Sequence, residues 1–106
     1  MKYADKVRIE LSSPKEVLFC FFEKDNEFSV AGLGKENIKA FYDFYSKWEE
    51  KSAGLFVPQG SILCFAMIIE SLFSDKYKIE YEWIGGTDPY KAWKEEQENA
   101  PKDVVY

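Results

Sequence analysis

Residues 77–84, YKIEYEWI, alternate almost perfectly, with Tyr77, Ile79, Tyr81 and Trp83 on one side and Lys78, Glu80 and Glu82 on the other. Side chains of an extended chain point alternately to two faces, so this pattern fits a half-buried strand and not a helix. A slip of one residue would expose every ring, so the pattern fixes register as well as conformation. The charged side is either an ordinary solvated sheet face or the margin of a surface built for a partner.

Three earlier segments extend the sheet. In KVRIEL (6–11), Val7, Ile9 and Leu11 alternate inward. EVLFCFFE (16–23) is apolar on both faces, as a central strand buried on both sides would be. The turn KDNE (24–27) leads into EFSVAGL, which predicts a hairpin.

The period then changes. Over 36–51, Ile38, Phe41, Phe44, Tyr45 and Trp48 share one helical stripe, with Gly54 placed to follow the helix end. Tyr42 lies at the margin of that stripe. Residues 61–73 fit either a helix or, over 61–69, a fully buried strand; the return of apolar character at Leu72 favours the helix. After the alternating strand, Asp88 is placed to cap a helix that begins at Pro89 and stops before Asn99 and Pro101. The order predicts one α+β domain over 1–106, with a mainly antiparallel four-stranded sheet and two to three helices on one face.

Chemistry is conspicuous by what is missing. There is no histidine, which removes the commonest general base and zinc ligand. Cys20 and Cys64 each sit in an apolar run, as reduced core thiols do, and an apolar setting raises a thiol's pKa. The glycines of GLGKEN (32–37) and of Gly85-Gly86-Thr87 lack the full phosphate-binding patterns and read as turns. Glu80 and Glu82 sit roughly 7 Å apart beside Lys78 on a charged strand face, not across a cleft. The expectation is a protein without enzymatic activity, cofactor or metal.

Charge is the remaining clue. The 106 residues carry a net −5, and thirteen of the fourteen bases are Lys, with Arg8 the exception. An acidic, Arg-poor chain is a poor match for nucleic acid. The first ten residues are charged, with no apolar core of a secretory signal, and the longest apolar run, Ile62 to Ile69, is eight residues. A bilayer span needs about 20, so the expectation is a cytoplasmic protein with no membrane partner. From Glu80 to Glu98, six acids (Glu80, Glu82, Asp88, Glu95, Glu96, Glu98) outnumber Lys91 and Lys94, a net of −4. Set beside Tyr90 and Trp93, these residues are the predicted partner-binding set, since charge steers encounter and rings anchor it.

In size, acidity and lack of catalytic chemistry the chain resembles small bacterial immunity proteins, which neutralise cognate toxins, often nucleases. The resemblance is to the type and carries no motif residue across. It implies a one-to-one complex with a basic toxin domain. Two other readings stay open: a small ligand-binding or enzymatic domain with a pocket between sheet and helices, and a nucleic-acid mimic. The mimic needs carboxylates at phosphate-like spacing, which 19 acids offset by 14 bases supply poorly.

Overall fold

A computed structural model describes residues 2–23, 27–51 and 57–98. Strands β1 (Lys6–Ser12), β2 (Val17–Glu23), β3 (Glu27–Ser29) and β4 (Lys78–Ile84) form one antiparallel sheet in the order β3-β2-β1-β4. Helices α1 (Lys35–Ser46), α2 (Trp48–Lys51), α3 (Ile62–Phe73) and α4 (Pro89–Glu98) complete it, after a single 3-10 turn at Ala31–Leu33. The expected α+β architecture is the observed one.

The ambiguous run over 61–73 is a helix. Ser61 caps it, its hydroxyl accepting from the Cys64 N–H at 3.1 Å. Its nearly all-round apolar character follows from its position: α3 packs against β1 and β2 and also touches α1 and α4. Phe65, Ile68 and Ile69 are fully buried there. Phe28 of β3 gathers the rings of Phe22, Phe41, Tyr45 and Phe65 around it, at centroid distances of 5.2 to 5.7 Å.

The helix expected over 36–51 is broken at Lys47, whose N–H bonds back to the Phe44 and Tyr45 carbonyls. The break delivers Trp48 to the core, where its indole N–H donates to the Val57 carbonyl at 2.7 Å. Gly54, Asn99, Pro101 and the turn residues 24–26 fall outside the described residues.

Two expectations about burial change. β2 was expected to be covered on both faces, but Val17 and Phe21 are 52% and 38% exposed, because the helices lie on the other face alone. Ile79, Tyr81 and Trp83 do face inward, yet each is only half-buried, because β4 is the last strand of the sheet.

Candidate protein-binding surface

Pairing of β1 with β4 decides which side chains meet on the open face. Arg8 stands between Phe21 and Glu82, and Glu10 between Phe19 and Glu80. The Arg8 guanidinium lies 3.6 Å from a Glu82 oxygen and 4.4 Å above the Phe19 ring. Lys78 reaches Glu80 at 3.3 Å. Glu10 forms no ion pair among the described residues, though it faces Glu80 directly across the ladder. Like charges opposed in this way destabilise a sheet. A shallow depression lined by Arg8, Glu10, Tyr81 and the two glutamates lies there. Along one side runs the apolar strip Val17, Phe19 and Phe21 of β2.

Helix α4 lies on the other side of the sheet. Tyr90 meets Tyr81 edge-on at 6.3 Å, and Trp93 stacks near Tyr90 at 6.4 Å. Asp88 is occupied as a cap, one carboxylate oxygen accepting from the Tyr90 and Lys91 N–H groups, each at 2.9 Å. Glu95 and Glu96 are exposed on α4; Glu98 ends the helix, and its side chain lies outside the described residues. The acidic set expected to form one surface is therefore divided by the sheet. Glu80 and Glu82 stand on the open face, and Tyr90, Trp93 and the acids of α4 stand on the helical side.

Arg8, Glu10, Val17, Phe19 and Phe21 also stand on the open face and were missing from the sequence-based set. Alternation in KVRIEL already placed Arg8 and Glu10 opposite the buried residues. Their neighbours depend on which strands pair, and nothing local encodes that.

A crevice sits between β4, α3 and α4, lined by Glu70, Tyr81, Asp88, Tyr90, Lys91 and Lys94. Lys94 bridges to Glu70 at 3.5 Å and lies 4.2 Å over the Tyr90 ring. The Tyr81 hydroxyl is buried there facing Glu70, which lies near enough to raise its pKa but not at hydrogen-bonding geometry, so the hydroxyl has no hydrogen-bond partner among the described residues. Burial first, and the Glu70 charge second, hold the Tyr81 phenol above its ordinary range; burial and Glu70 raise Tyr90 likewise. Both phenols therefore stay protonated at neutral pH.

The two thiols are held protonated by the same cause. Cys20 and Cys64 are free and buried, and burial pushes them up to about 12 and about 11. The glycine turn after β4 is explained by packing. Gly85 adopts φ +88°, and a Cβ there would lie 2.6 Å from an Asp5 carboxylate oxygen. At Gly86 a Cβ would strike the Lys2 and Tyr3 main chain. Among the described residues no group of three His, Cys, Asp or Glu is placed to hold a metal ion, and no helix is long and apolar enough to cross a membrane. Comparison with known protein families, with curated proteins and with solved structures finds no match for this chain.

Proposed function

We propose that this protein is a non-catalytic binding module that captures a basic protein through the open face of its sheet. The observation that carries this reading is the Glu10–Glu80 opposition on paired strands, with Glu82 beside it and an apolar strip along β2. An arrangement that costs stability in the free protein is relieved when a cationic side chain enters between the carboxylates. The exposed Val17 and Phe21 side chains of β2 supply apolar contact area beside that charge. The biological role that fits is immunity: tight, one-to-one neutralisation of a basic toxin domain in the cytoplasm.

Co-expression with the product of the neighbouring gene tests it. The expected result is a stable one-to-one complex and rescue of growth from that product's toxicity. Toxicity undiminished, with no complex formed, overturns the reading.

A second reading, a pocket for a small polar ligand, draws on one observation, the unpartnered Tyr81 hydroxyl in the crevice beside Glu70. A ligand held there would quench the fluorescence of Trp83 or Trp93 and lose affinity in Tyr81→Phe.

A further inference from the structure

The two edges of the sheet are not alike. β3 closes one edge with three residues, too short to template another strand. β4 closes the other with seven residues, all paired to β1 on one side and free of proline. The Ile84 carbonyl accepts from the Asp5 N–H at 3.2 Å, so Ile84 points its main-chain groups toward β1. Main-chain direction alternates along a strand, so Ile79, Tyr81 and Trp83 point theirs outward. Among the described residues those groups have no strand partner. The inward side chains of the same three residues are half-buried, leaving aromatic surface beside the free edge.

We infer that β4 is a docking edge, and that its occupant is an extended segment of the partner that adds as a fifth strand. The inference rests on the proposed function and specifies how the basic partner is held. Side chains of an added strand fall next to those of β4 on each face. On the open face they meet Lys78, Glu80 and Glu82, which call for one acidic or polar residue and two basic ones at alternate positions. On the inner face they meet Ile79, Tyr81 and Trp83, which call for apolar residues. The segment recognised is therefore an alternating strand of about seven residues, the length of β4 itself, apolar on one face and carrying on the other two basic residues beside Glu80 and Glu82 and an acidic or polar one beside Lys78.

A second copy of this chain is the wrong occupant. Antiparallel pairing of two β4 strands at full overlap, centred on Tyr81, sets Glu80 opposite Glu82 twice. The charges that favour a basic strand thus also guard the edge against self-association.

The test uses isotope-labelled full chain and a synthetic peptide of about seven residues, a length matched to the edge, alternating valine with lysine except for a serine at the position that falls beside Lys78. Hydrogen exchange of the Ile79, Tyr81 and Trp83 amides is followed by NMR. Binding of the lysine peptide should slow all three. A valine–glutamate peptide should leave them unchanged, and Glu80→Lys with Glu82→Lys should weaken lysine-peptide binding about tenfold. N-methylating the peptide on its β4-facing amides should abolish binding.

Equal binding of the N-methylated peptide, with shifts confined to Glu10, Glu80 and the β2 strip, would overturn the edge inference while supporting capture by the face. No binding of any basic peptide, or equal protection by the glutamate peptide, would overturn the edge inference outright. Concentration-dependent protection of the three amides without peptide would make the second copy the occupant and overturn it too.

Discussion

The opposition of Glu10 and Glu80 has a measurable cost. The two residues are direct partners on neighbouring strands, and Lys78 neutralises only the Glu80 side, at 3.3 Å. Two carboxylates about 6 Å apart in water repel by about 0.7 kcal/mol, and screening at physiological salt roughly halves that. Cross-strand pairs span about 0.2–1 kcal/mol, which brackets the same value. Glu10→Gln should therefore stabilise the free protein by about 0.3–0.7 kcal/mol, a rise in Tm of roughly 1–3 °C at this size. A double-mutant cycle with Glu80→Gln isolates the pair. The second substitution should add little once the first is made, because either one removes the repulsion. In 1 M salt the Debye length falls to about 3 Å and the coupling should vanish. Urea melts of the four proteins at low and high salt provide the assay. A coupling of zero at low salt, or a net attraction, would mean that the open face carries no strain for a partner to relieve.

Other consequences follow from burial. Tyr81→Phe should leave stability unchanged or raise it by about 1 kcal/mol, because the hydroxyl removed is buried without a partner; a loss of more than that in denaturant melts would reveal a bond the phenol makes. Phe41→Ala, which empties a fully buried site among Phe28, Tyr45 and Phe65, should cost about 3–5 kcal/mol, whereas Trp83→Ala on the half-buried edge should cost clearly less in the same melts. Raised thiol and phenol pKa values mean that the unfolded chain releases these protons first, so stability should hold below about pH 9 and fall as pH climbs toward 12, followed by circular dichroism. Cys20 and Cys64 should resist a thiol reagent until the protein unfolds.

Much of the fold was legible because its elements announce themselves locally. The alternation of KVRIEL and YKIEYEWI needed only the period of a strand, and Asp88-Pro89 needed only capping chemistry, which the two N–H bonds to Asp88 reproduce. The run around Cys64 was ambiguous because α3 is surrounded, and a surrounded helix and a surrounded strand both lose their polar stripe. The error on β2 has the mirror-image cause. Its outer residues Val17, Phe19 and Phe21 are apolar although that face is open, so composition implied a cover that the topology does not provide. The candidate surface was half legible for a related reason. Nearness in sequence grouped Glu80 and Glu82 with α4, but a strand and the helix that follows it lie on different layers. The true neighbours of Glu80 are Glu10 and Lys78, and the former is brought there by pairing of the first strand with the last.

That division of the acidic residues between two sides of the sheet sets the most direct measurement. Association with the product of the neighbouring gene is timed by stopped flow across a salt series for two charge-reversed proteins. One carries Glu10→Lys, Glu80→Lys and Glu82→Lys on the open face; the other carries Glu95→Lys and Glu96→Lys on α4. The first should slow association by tenfold or more, by about the order that electrostatic steering contributes, and flatten its salt dependence, while the second should change neither. Slowing by the α4 variant, with the open-face variant associating as the unmodified protein does, would contradict capture by the open face and move the binding surface to the helical side.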